Sequence, residues 1–200
     1  MKEKFIELYK EYIHREGAEK LLSWLETTDF FTAPASTKYH LSREGGLCEH
    51  SIHVYQRLLN LYVSEKRKER QHSETASAFT LTEAEKETIA ICSLLHDLCK
   101  VDFYEIEFRN KKNEETGQWE KVPQYTINDK LPYGHGEKSV YIISGFMRLT
   151  REEAMAIRFH MGLAQEGDLR DCGKAFEMYP LALMNHLADM QATYLDEREV

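Results

Sequence analysis

The stretch Ile89-Ala90-Ile91-Cys92-Ser93-Leu94-Leu95-His96-Asp97-Leu98-Cys99-Lys100 decides how the rest of the chain is read. Its first half is an apolar helical run, and its second half ends that run on a histidine next to a carboxylate. Thr82 followed three residues later by Glu85 predicts where the helix starts. In such a capping box each side chain covers a free amide of the other's backbone. Leu98, Cys99 and Lys100 mark its end.

Outward from this helix the pattern stays helical. Phe5, Leu8, Tyr9, Tyr12 and Ile13 recur at helical spacing, so residues 2–27 read as one or two amphipathic helices broken or bent at Gly17. Pro34, Ser42, Gly45 and Gly46 make residues 32–46 a loop. A long helix follows from Cys48 to about Lys66, with Ile52, Tyr55, Leu58, Leu59 and Tyr62 facing inward. Glu65 to Ser77 is charged and polar and reads as a solvated connection. Helical patterning returns at 137–147, 151–160 and 179–196, with Thr150 and Glu153 forming a second capping box.

One segment differs. Phe103 to Arg109 alternates between apolar and polar residues, and so does Trp119 to Ile127, with polar residues and Gly117 between them. That is the pattern of a β-hairpin inserted into a helical chain. Pro123 places the second strand at an edge or on a bulge. The expected fold is therefore all-α, a mainly helical bundle with a small inserted hairpin over 103–127. Residues 1–200 form one domain, and 1–40 supply N-terminal helices that pack on it.

Bulk properties narrow the function. The 200 residues include 42% hydrophobic and 30% charged residues, enough for a core that needs no structural metal. A net charge of −8, from 34 acidic and 26 basic residues, argues against long nucleic acid as a partner. Cys48, Cys92, Cys99 and Cys172 form neither a Cys-x-x-Cys pair nor a disulfide framework. The N-terminus lacks the apolar run of a signal peptide, and no stretch is long enough to span a bilayer. A reducing cytoplasm is the expected location, and a homodimer is open.

The polar residues that stand out are histidines and aspartates on or beside apolar helices. His50 follows Gly45-Gly46-Leu47-Cys48-Glu49. His135 lies in Gly134-His135-Gly136-Glu137-Lys138-Ser139, and His160 closes Arg158-Phe159-His160. Asp189 sits inside the last apolar helix, where an unpaired carboxylate is expensive to bury. Singly, each has an ordinary reading as a cap, a core histidine or half of an ion pair. Mixed imidazole and carboxylate donors suit Fe, Mn, Co, Ni or Zn better than Mg or Ca.

The order His…His-Asp…His…His…Asp resembles the HD superfamily of metal-dependent phosphohydrolases. The strings Gly-Gly-Leu-x-Glu-His, Leu-Leu-His-Asp-Leu-x-Lys and Gly-His-x-Glu-Lys-Ser resemble it too. The likeness covers about residues 40 to 195. It implies two divalent transition-metal ions. One would be held by His50, His96, Asp97 and Asp189, and the other by Asp97, His135 and His160, with Asp97 bridging. It further implies hydrolysis of a phosphomonoester or phosphodiester, of a nucleotide or short oligonucleotide, by a hydroxide that the two metals activate. Asp97 and Lys100 would be catalytic, with Lys100 placed to meet the phosphate or that hydroxide. The same ligand set also serves di-iron oxygenases, and a module that binds a nucleotide without turnover is a third reading.

Other residues carry weaker expectations. Arg43, Lys130, Tyr133 and Arg158 are candidates to bind the substrate beside Lys100, and Asp129 to line the pocket. The hairpin is read as a lid or specificity element, or else as a structural flap or dimer contact. His53 shares a helix face with His50. His186 reads as packing, with orientation of a ligand as the alternative. His14, His40 and His72 are expected to face solvent, and Cys99 to fill space as a small apolar residue.

Overall fold

A computed structural model describes residues 1–71, 80–164 and 169–198. Among them are eight α-helices and one antiparallel hairpin, a mainly helical fold with a small β insertion. His72 and the rest of the connection after Gln71 lie outside the described residues.

The N-terminal run is two helices, α1 (Lys2–Tyr12) and α2 (Ala18–Leu25). Phe5 and Tyr9, one turn apart, are buried, and the Tyr9 hydroxyl donates to the Ala18 carbonyl at 2.8 Å. Gly17 makes the corner with φ of +92°, and a Cβ there would lie 1.9 Å from the Phe146 carbonyl oxygen. Only glycine meets both demands.

Helix α3 spans Gly46–Gln71, about five residues longer than the expected end near Lys66. The charged run did not stop it, because its residues support one another along one face. Lys66 pairs with Glu69 at 3.1 Å and Lys68 with Glu65 at 2.7 Å, each three residues apart. Helix α4 (Glu83–Leu94) starts on the expected Thr82–Glu85 box, and α6 (Arg151–Arg158) on the Thr150–Glu153 box. Between them in sequence, α5 covers His135–Ser144.

Helix α7 (Leu169–Met178) was not expected. Charged residues and Gly173 hide its short apolar stripe, in which Cys172 and Ala175 pack against Phe159. Helix α8 (Pro180–Gln191) then begins with proline in its first turn. It gives way to a π turn at Ala192–Asp196, where a continuous helix was expected.

Helix α3 packs on α4 and α8, while α6 packs on α5 and α8, and α1 lies across α4. The main core runs from Phe5 and Leu21 through Ile52, Leu58, Ile91 and Leu94 to Ile157 and Ala188, with the Phe159, Cys172 and Ala175 cluster beside it.

Strands β1 (Tyr104–Lys112) and β2 (Trp119–Ile127) pair without a break from Tyr104–Ile127 to Lys112–Trp119. Pro123 sits opposite Phe108 in regular register, so it marks an edge and not a bulge. Most of the ribbon faces solvent, with Ile106, Phe108 and Trp119 exposed. The ribbon is anchored at its root. Lys138, on α5, bonds Asp129 just after β2, and its ammonium lies 4.9 Å from the ring centre of Phe103 just before β1. Among the described residues, no helix is long and apolar enough to cross a membrane.

Candidate metal centre

Four parts of the bundle deliver the histidines and aspartates singled out above. Helix α3 starts tightly at Gly46, where a Cβ would sit 2.1 Å from the Leu41 carbonyl oxygen, and its second turn carries His50. His96 and Asp97 lie just past the end of α4, before a 3-10 turn at Leu98–Lys100. Asp97 has φ of −104° and ψ of 22°, and this non-helical backbone lets two adjacent side chains face one space. His135 opens α5, and His160 lies in the turn after α6. Gly136 allows those two helices to touch, since a Cβ there would lie 2.1 Å from the Arg158 carbonyl oxygen. Asp189 comes from α8.

The four histidines meet around the Asp97 carboxylate, whose two oxygens face different partners, and Asp189 joins them through His50. Oδ1 lies 2.9 Å from His135 Nε2 and 3.4 Å from His160 Nε2. Oδ2 lies 3.3 Å from His96 Nε2, 3.7 Å from His50 Nε2 and 2.7 Å from Lys100 Nζ. Asp189 Oδ1 completes the second group, 3.1 Å from His50 Nε2.

The outer ring nitrogens set the protons. His96 Nδ1–H donates to the Ser93 carbonyl at 2.7 Å, and His160 Nδ1–H to the Ile157 carbonyl at 2.7 Å. His50 Nδ1–H donates to the buried Glu197 carboxylate at 3.0 and 3.1 Å. These partners accept only, so each ring keeps a proton on Nδ1 and turns Nε2 inward, the atom that can exchange a second proton for a cation. His50 and His96 bring their Nε2 atoms 3.3 Å apart, and the buried His160 Nε2 has no hydrogen-bond partner among the described residues. Inward-facing imidazole nitrogens crowded beside two buried carboxylates form a donor set that a divalent cation can occupy in place of protons. The donor set fits divalent transition metals. The ligand atoms of His50, His96 and Asp189 lie within 4.8 Å of one another, as do those of His96, Asp97 and His160. The same holds for Asp97, Cys99 and His135, and for His40, His50 and Glu197. Such groups can hold metal ions.

The charges follow from these contacts. Burial opposes ionisation of Asp97, but Lys100 and the histidines override it and hold the carboxyl well below its usual range. Asp189 is held low in the same way, with His50 its chief partner. Burial also works against charge on His50, yet Asp189 and Glu197 raise it to about 10 in the metal-free protein. Glu197 falls to about 2, because its bonds to His50 and His53 outweigh its burial. Lys100 stays charged despite burial through its contact with Asp97.

A cavity of about 690 Å3 opens over this cluster. Lys100, His135, His160 and Asp189 lie on its polar side, while Tyr39, Met161, Met190 and Tyr194 form a softer rim. Lys100 donates to the Ala35 carbonyl at 2.8 Å, and the Tyr104 hydroxyl donates to the same oxygen at 3.2 Å.

The other residues expected to bind substrate lie elsewhere. Arg43 is exposed and pairs with Glu49 at 2.6 Å, and Arg158 pairs with Glu137 at 2.9 Å over the Phe159 ring. Tyr133 packs on Tyr141, with ring centres 5.2 Å apart. Lys130 and Asp129 line a separate cavity beside Phe103 and Lys138. Arg43, Tyr133, Arg158 and Asp129 each have a close partner of their own there, Asp129 with Lys138.

Conversely, several lining residues carried no such expectation. His40 does not face solvent as expected: it lines the cavity with its ring centre 5.0 Å from that of His50. Burial and the nearby cations His50 and Lys100 lower its pKa to about 4. His14 is exposed, as expected. His186 stacks on Phe176 and donates from Nδ1 to the His160 carbonyl at 2.7 Å, so it both packs and braces the turn that carries His160. Cys99 is buried, its sulfur 3.4 Å from His135 Nδ1, and burial raises the thiol's pKa. Glu197 and Arg198 also line the cavity, eight and nine residues beyond Asp189. No spacing in the sequence marked them.

Comparison with protein-family models, with curated proteins and with solved structures finds no match to this chain.

Proposed function

We propose that this chain is a metal-dependent phosphohydrolase of the HD type that cleaves a phosphomonoester or phosphodiester of a nucleotide or short oligonucleotide. The observation that carries the reading is the divided carboxylate of Asp97, with two histidines on Oδ1 and two more, together with Lys100, on Oδ2. His50, His96, Asp97 and Asp189 would hold one ion, and Asp97, His135 and His160 the other. Such ions supply Lewis acidity, activating water and neutralising charge on a phosphoryl group.

The chain's own residues do the rest. The Nδ1–H bonds of His50, His96 and His160 fix each ring with its donor atom inward, so little reorganisation is needed. Lys100 keeps a fixed cation at the cavity floor, where it can take a non-bridging phosphate oxygen. Tyr39, Tyr194, Met161 and Met190 offer flat and polarisable surface to the remainder of the ester. The cavity is far larger than a phosphate alone requires, which favours an organic ester of nucleotide size.

The test is direct. Protein loaded with Mn(II) or Fe(II), its metal content measured, is assayed against an aryl phosphate and a panel of nucleotides and dinucleotides. Turnover that depends on Asp97 and on metal supports the reading. A fully loaded protein that turns over nothing in the panel, or one whose iron form consumes oxygen, overturns it.

A further inference from the structure

We propose that Glu197 is the positioning residue of this centre, gripping His50 from behind so that Nε2 can serve a metal. The inference rests on the metal-centre reading above and adds to it a residue outside the expected ligand set.

Glu197 reaches His50 across 147 residues of sequence, and its side chain is fully buried. Its carboxylate meets the ring at Nδ1, whereas Asp189 and Asp97 face Nε2. One imidazole cannot direct both nitrogens at the same ion, so Glu197 acts through His50 and not beside it. Oε1 also accepts from His53 Nδ1 at 2.9 Å. One residue earlier, Asp196 pairs with Arg57, whose Nε donates to Oδ2 at 2.7 Å. His50, His53 and Arg57 fall at i, i+3 and i+7, one stripe of α3, and that whole stripe is tied to residues 196–197.

The backbone explains how Glu197 gets there. The π turn after α8 closes with the Glu197 N–H on the Ala192 carbonyl at 3.1 Å, five residues back. Widened turns of this kind re-aim the residues that follow them and recur at functional sites. Here α8 holds Asp189 on one nitrogen of His50, and the π turn returns Glu197 to the other. A buried carboxylate that orients a ligating histidine also makes that ring a better donor, and its loss typically costs 10- to 100-fold in metal affinity.

The experiment compares the full chain with Glu197→Ala and Glu197→Gln by calorimetric and optical titration with Co(II). In E197A one of two Co(II) equivalents should bind about 10- to 100-fold more weakly, with a changed visible spectrum. E197Q should recover most of that loss, because the single oxygen Oε1 that accepts from both histidines survives in glutamine. Unchanged Co(II) affinity and spectrum in both variants, with only a lower melting temperature, would make Glu197 a packing residue and end the proposal. A wild-type chain that takes up no stoichiometric Co(II) would instead defeat the metal-centre reading itself. Should E197A not fold, long-range 1H–15N spectra of the metal-free wild type decide. The proposal requires a protonated His50 Nδ1, and a bare one overturns it.

Discussion

Lys100 Nζ stands 2.7 Å from Asp97 Oδ2, on the oxygen that also faces His50 and His96. The cation and the candidate ligands share one carboxylate, which makes Lys100 both a support for its charge and a rival for its lone pairs. Lys100→Met should separate the two roles. Turnover should fall about 10²–10³-fold, the usual cost of removing one oriented donor from developing charge. Metal affinity should rise, since the competing cation is gone. Parallel loss of metal and turnover would make Lys100 a structural partner of Asp97 only.

Asp97→Asn keeps the shape of the side chain but removes the charge that both groups of histidines share. Metal content should drop sharply. The wild type should lose thermal stability on chelation while D97N shows no response. An ion at 100 times its dissociation constant adds about 2.7 kcal/mol to the folded state. Scanning calorimetry with and without a chelator reads the difference. A D97N protein that still melts lower on chelation would locate the metal elsewhere.

Gly136 holds α5 against α6, and with them the starting points of His135 and His160. Gly136→Ala should cost about 1–3 kcal/mol by overpacking. It should also release the ion on the Asp97 Oδ1 side before the other. Urea midpoints and metal analysis test both halves. A stability loss with full metal content would show that the two helices can separate without moving their histidines.

Away from the cluster, Glu153 is fully buried beneath Arg15, with contacts of 2.8 and 2.9 Å, and accepts from Thr88 and from the Thr150 amide. Burial opposes its charge, but Arg15 and these donors lower its pKa below the ordinary 4.5. A carboxyl so depressed contributes fully above 4.5, and its contribution is lost as the pH falls through the folded value. Glu153→Gln should therefore cost about 1.5–3 kcal/mol at pH 7, the range for hydrogen bonds to charged groups. The gap to the wild type should narrow in acid, below pH 4.5. A gap that stays constant from pH 7 to 3 would assign the loss to packing.

Much of this arrangement could be read in the sequence because it uses local signals. Both capping boxes announce their helices, Gly17 its corner and the alternating strands their hairpin. Singly, His50, His96, Asp97, His135, His160 and Asp189 have ordinary readings; they stand out together through the order and flanking strings that resemble the HD superfamily. What was hidden depends on long-range geometry. Glu197 looks like one more charge in an acidic tail until the π turn carries it behind His50. His40 lies in a polar loop, and only the approach of α3 buries it against His50. Nor does spacing show that Arg43 pairs with Glu49, Tyr133 packs on Tyr141 and Arg158 pairs with Glu137. Local pattern also underestimated α3, whose charged end is held by its own ion pairs.

The clamp of Lys138 on Asp129 and Phe103 makes the ribbon a cassette. The spacing between Asp97 and His135 is set at the root, so the length and chemistry beyond it are free to drift. Residue pairs can be added or removed in register near the Asn113–Gln118 tip with no change to the distance the root maintains.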